Sequence, residues 1–243
     1  MKRTLFYIAV AALSLSGATA SAQDYEELER FSEEAGEMSM LFRGKQGMSY
    51  SFQYNGTYFW YGRDFLPGEV FYNGKLYPGA LVNINAHLQE LLVKEDDGFL
   101  PVLVDTGHVD WFTMGDRYYV TRGYAGLSGL ADGFYEVLYD GSAKLYKRVD
   151  KYLRKDSNNR NGAGIGYVDP NYNERVLDYF ANRVSYYFVK DGKVRQVRKW
   201  RDILSGYPER KKELKRFAKT EQKYNSGFEP VSTAILKHAE GDE

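Results

Sequence analysis

Three histidines, no cysteine and 33 carboxylates define the chemistry open to this chain of 243 residues. The missing cysteine excludes disulfide staples, thiolate metal sites, cysteine nucleophiles and acylated-cysteine lipoproteins together. His87, His108 and His238 stand far apart, and none belongs to a His-x-x-x-His or Glu-x-x-His pair of the kind that holds zinc. His108, flanked by Asp105 and Asp110 with Asp116 beyond, is the one local acid-base cluster. A strand through it would send His108 and Asp110 to the same face. Gly126, Ser128 and Leu130 approach the nucleophile-elbow pattern but lack its second glycine. Asp169, Asn171 and Asn173 begin like a calcium loop, yet its sixth and twelfth positions hold Glu174 and Phe180 instead of Gly and Glu. Gly162, Gly164 and Gly166 are not followed by the Lys-Ser/Thr of a phosphate cradle. No catalytic residue, metal or cofactor is expected, and a carboxylate-dependent envelope hydrolase is the enzymatic alternative, since spacing alone cannot nominate its paired acids.

Binding groups are more abundant than reactive ones. The sequence holds 22 tyrosines, and Tyr50, Tyr54, Tyr58, Phe59, Trp60, Tyr61 and Tyr72 crowd one region. Alternation along strands would turn some of these rings outward, where flat amphipathic groups stack on sugars or partner surfaces. Tyr58, Trp60, Tyr61 and Tyr72 are therefore the candidate binding residues, against the alternative that aromatics favour strands for packing alone. Residues 190–223 carry 13 basic and five acidic side chains, and Arg210, Lys211, Lys212, Lys215, Arg216 and Lys219 form a candidate basic surface for an anionic partner. An ordinary solvated helix face is the competing reading, and nucleic acid is not an expected partner.

The elements that would position these groups follow from the pattern of apolar residues and turns. Lys2 and Arg3, an apolar stretch over 5–15 and small residues ending Ala20, Ser21, Ala22 have the layout of a secretory signal peptide cleaved after residue 22. Eleven apolar residues at ~1.5 Å each reach about half of a bilayer core, so the stretch is too short to span one. Residues 23–47 are an acidic N-terminal segment, with apolar spacings of three and four over its first half that suit a short helix. Residues 48–155 read as an antiparallel meander, with hairpins at Asn55-Gly56, Asn73-Gly74 and Asp140-Gly141, whose residues tolerate the positive φ angles of type I′ turns. Residues 156–173 form an Asn- and Gly-rich loop. Residues 174–243 hold a last hairpin at Asp191-Gly192 and then helices, one from Pro208 to about Gln222 and a final one with Val231, Ala234, Ile235 and His238 on one face.

Together these features predict a mainly β fold, an antiparallel meander arranged as an open barrel or sandwich with short C-terminal α-helices. Residues 134–141, 186–197 and 211–219 carry a resemblance to exported β-meander proteins of unknown function from Gram-negative bacteria. That resemblance implies a fold and brings no catalytic residues. The function expected is non-catalytic binding of an envelope protein or glycan through an aromatic sheet face, in the periplasm or at the cell surface. A small outer-membrane β-barrel is the third possibility, although a basic helical C-terminal segment is hard to place in one.

Overall fold

The computed structural model describes residue 30 and residues 39–47, 50–52, 54–94, 100–155 and 178–241. The signal sequence, the expected N-terminal helix apart from Arg30, and the Asn/Gly-rich loop lie outside the described residues. Among the described residues eleven strands form one antiparallel sheet: β1 (Lys45–Gln46), β2 (Leu66–Tyr72), β3 (Lys75–Asn85), β4 (Glu90–Lys94), β5 (Val102–Leu103), β6 (Val109–Met114), β7 (Arg117–Thr121), β8 (Phe134–Asp140), β9 (Lys144–Lys155), β10 (Asp178–Lys190) and β11 (Lys193–Val197). Their order is β1-β5-β4-β3-β2-β6-β7-β8-β9-β10-β11, so two runs of neighbouring strands are joined where β6 lies beside β2. Helices α1 (Trp200–Ile203), α2 (Lys211–Tyr224) and α3 (Phe228–Glu240) follow.

Turn chemistry accounts for the tight hairpins. Asn73 and Gly74 take φ of 50° and 75°, and Asp191 and Gly192 take 51° and 69°, as type I′ turns require. Two expected hairpins are built differently. Asp140 and Gly141 do not take positive φ. A three-residue loop with a Gly141 N–H to Ala143 carbonyl bond of 3.0 Å closes β8–β9 instead, next to a bulge between Val137 and Tyr139. At Asn55-Gly56 no hairpin forms. Asn55 bridges to Tyr179, and Trp60 N–H donates to Ile84 (2.9 Å) while Tyr58 accepts from Ala86 (2.8 Å). Residues 54–64 are thus a strap running from β10 to β3. Its aromatic residues touch one another, as Tyr58 and Phe59 do at 4.4 Å, and also reach rings distant in sequence, Tyr54 meeting Phe180 and Trp60 meeting Tyr119.

The strap is needed because the sheet, though open in strand order, curls. Lys151 N–H on β9 donates to the Ala86 carbonyl at the end of β3 (3.0 Å), Gln89 Nε2 donates to the Val149 carbonyl (2.9 Å), and His87 Nδ1 donates to the Lys151 carbonyl (2.8 Å). The enclosed face holds one core, including Val70, Val82, Ile84, Phe112, Met114, Tyr119, Phe134 and Val149. A second core lies between α1–α3 and the β8–β11 end of the sheet, around Leu145, Phe188, Ile203, Leu214 and Ile235. Pro208 lies in a turn before α2, whose first residue is Lys211, so the helix begins three residues later than the proline implied. Among the described residues no helix is long and apolar enough to cross a membrane.

Candidate functional site

Directly paired residues on neighbouring antiparallel strands point to the same face. One row of such pairs crosses eight strands: Tyr77, Val70, Phe112, Tyr119, Glu136, Lys147, Tyr186 and Val197. Its outer members pack in the two cores, whereas its centre, Tyr119 to Tyr186, is polar and mostly buried. Burying a carboxylate and an ammonium in such a row is costly unless they are paired and hydrogen-bonded, and here they are.

Lys147 Nζ lies 3.6 Å from Glu136 Oε2 and 2.9 Å from Glu229 Oε1, which α3 supplies. Tyr61, delivered by the strap, donates to Glu136 Oε2 (2.6 Å) and accepts from Lys147 Nζ (3.0 Å). Tyr186 donates to Glu229 (2.7 Å), and Arg117 Nε stands 3.5 Å from Glu136 Oε1 with its guanidinium 4.3 Å from the Tyr61 ring centroid. Arg117, Lys147, Glu136 and Glu229 sum to no net charge, and at the solvent edge Arg117 also meets the exposed Asp116 at 3.3 Å. Trp60, 3% exposed, meets Tyr119 edge-on at 5.6 Å. Among the described residues the Trp60 Nε1 and Tyr119 hydroxyl atoms have no hydrogen-bond partner of good geometry.

The row is open on one side. Tyr61 is 42% exposed, and Val184, on the same strand face as Tyr186, is 44% exposed. Asn182 between Val184 and Phe180 is exposed too. The opening is flanked by the aromatic cluster of Tyr50, Tyr54, Tyr58, Phe59 and Phe180 on one side and by Phe228 on α3 on the other, the latter 4.2 Å from the Tyr186 ring.

One lysine and three phenols of this site are shifted in the direction of holding their protons. Burial opposes the charge of Lys147, but hydrogen bonds to Tyr61 and Glu229 and the neighbouring Glu136 outweigh it and raise its pKa. Burial, reinforced by carboxylate neighbours, raises the pKa of Tyr61, Tyr119 and Tyr186. At neutral pH the lysine stays charged and the phenols stay protonated. The arrangement offers set donors and acceptors, and none of these four groups is poised to exchange protons near pH 7.

The four aromatic candidates are not brought to one face. Tyr58 and Trp60 are buried, because the strap places them against the cores rather than on an outward sheet surface. Tyr61 reaches the charged row. Tyr72 lines a separate cleft of about 640 Å³ with Arg43, Lys45, Glu90 and Asp105. The acid-base cluster also divides. His108 belongs to a single 3-10 turn (Thr106–His108), not a strand, and pairs with Asp105 at 3.1 Å in solvent, while Asp105 caps that turn by accepting from Gly107 N–H. Asp110 lies in a different cleft of about 480 Å³ with Arg122 and Asp132. Of the basic residues, Lys211, Lys212, Lys215, Arg216 and Lys219 are exposed on α2, but Arg210 is engaged: it forks onto Glu213 (2.6 and 3.0 Å) and donates to the Ala239 carbonyl. Glu136, Lys147, Tyr186, Arg117 and Glu229 carried no signal in the sequence, because only strand register and the docking of α3 bring them together. Among the described residues no group of three or more His, Asp or Glu side chains is placed to hold a metal ion. No family model, curated protein or solved structure matches the chain, so this geometry is the basis on which its function is read.

Proposed function

We propose that the chain is an exported, non-catalytic protein of the cell envelope that binds a neutral glycan at the opening marked by Tyr61. The single observation behind this reading is a half-exposed aromatic ring set over a charge-neutral network of Arg117, Glu136, Lys147 and Glu229. Sugars present apolar C–H faces that suit such a ring and hydroxyls that both donate and accept, and the network supplies both functions without net charge. Export rests on the basic, apolar and small-residue layout of residues 1–22.

Retention of the mature protein on isolated cell-wall glycan, followed by calorimetric titration with soluble fragments, tests this reading. Tyr61→Ala and Arg117→Gln are each expected to weaken retention about tenfold while the circular dichroism melt still reports a folded protein. Retention unchanged in both variants would overturn it. Tyr58 and Trp60 are unsuited to the test, since both are core residues.

A further inference from the structure

Helix α2 separates its charges by face. At about 100° per residue, Lys211, Lys215, Lys219, Lys212, Lys223 and Arg216 fall within an arc of about 140°, and Leu214, Phe217 and Ala218 occupy the side turned to the second core. All six cations are exposed, and among the described residues none of them takes part in an ion pair. The acids of the helix lie outside the arc. Glu213 is already engaged by Arg210 at 2.6 Å and by His238 at 3.1 Å, which together bring its pKa down to about 2. From Lys211 to Lys223 the stripe runs about 18 Å along a convex surface.

We infer that this stripe docks the protein on an anionic phospholipid surface. The cations are strung along about 18 Å of helix and do not converge on a point, as a site for a single phosphate would need. The long flexible stems let these exposed, unpaired cations turn toward a broad anionic plane, whose charge complements the row. The stripe carries no exposed large apolar side chain, so the attachment is electrostatic, reversible and confined to about a Debye length of the surface.

Flotation of the mature protein with vesicles of phosphatidylcholine mixed with phosphatidylglycerol tests the inference. Binding is expected at low salt, with loss in molar salt and none to pure phosphatidylcholine. The triple variant K211Q/K215Q/K219Q is expected to bind about a hundredfold more weakly, from the contribution of each lysine at an anionic surface. K45Q/K75Q/K193Q, which removes the same charge from exposed positions elsewhere, should bind as the parent does, and so should Tyr61→Ala, which separates this surface from the glycan site. Equal losses in the two triple variants, no flotation, or equal binding to neutral vesicles would overturn the proposal. Preferential capture of an acidic peptide spanning residues 24–37, or of an acidic polysaccharide, would overturn it too.

Discussion

Glu136 and Lys147 face each other across the β8–β9 pair, 3.6 Å apart, and the hydroxyl of Tyr61 joins them by donating to the first and accepting from the second. Each keeps a second partner if the other is removed, Lys147 the Glu229 carboxylate at 2.9 Å and Glu136 the Arg117 guanidinium at 3.5 Å. Lys147→Ala and Glu136→Ala are therefore each expected to cost about 1–3 kcal/mol in urea unfolding, and the double replacement Glu136→Leu with Lys147→Met should recover part of that loss. A double variant no more stable than the singles would show that the pair is not coupled in this way.

The C-terminal end of α3 is fastened by one carboxylate. Glu240 accepts from Ser142 Oγ (2.6 Å), Ser142 N–H (2.7 Å), Ala143 N–H (2.7 Å), Tyr207 (2.9 Å) and Tyr139 (3.0 Å). Burial alone would raise its pKa, but these donors bring it down to about 2 from an ordinary 4.5. A carboxylate depressed in the folded state contributes stability above its unfolded pKa and loses it as pH falls through the folded value. Screened by solvent, the contribution is of order 1–2 kcal/mol, and it should disappear between pH 4.5 and 2. In Glu240→Gln the melting temperature at pH 7 should fall, and its decline over that acid window should be shallower than in the parent.

Alkaline titration of the phenols has the opposite sign. Burial pushes Tyr118 and Tyr146 up to about 12, and Tyr119 higher still. Because the folded state raises these values, their contribution is complete below about pH 10 and lost as pH rises above it. Absorbance near 295 nm should record one reversible group of tyrosines near pH 10 and a second that ionises only as the near-ultraviolet dichroism collapses. A single transition for all the phenols would contradict the buried placement of these rings.

Gly68 sits where β2 approaches β6. A methyl group on it would stand 2.1 Å from the Thr113 carbonyl oxygen and 2.9 Å from its carbon, with backbone unable to yield. Gly68→Ala is expected to cost more than about 2 kcal/mol, while Gly123→Ala, with nothing within 4 Å, should change the unfolding midpoint little.

Local chemistry made the hairpins legible. Asn73-Gly74 and Asp191-Gly192 state their own turn type, and the runs beside them alternate as paired strands do. The same dipeptide logic failed at Asn55-Gly56, where a register decided by β3 and β10 overrides a local preference. Strand order beyond neighbours was not legible, because the β2–β6 contact joins residues about 40 positions apart without any turn signal. The candidate site was hidden for that reason. Tyr61 stood out as one ring among many, but Glu136 and Lys147 are ordinary acids and bases until two registers and one helix enclose them.

Helix α3 fastens at one end and serves at the other. Glu229 in its first turn reaches Lys147 and Tyr186, and Glu240, eleven residues on, grips the loop between β8 and β9. Between those two carboxylates Val231, Ile235 and Leu236 are fully buried in the second core, so one rigid rod sets the spacing between the charged row and the β8–β9 loop.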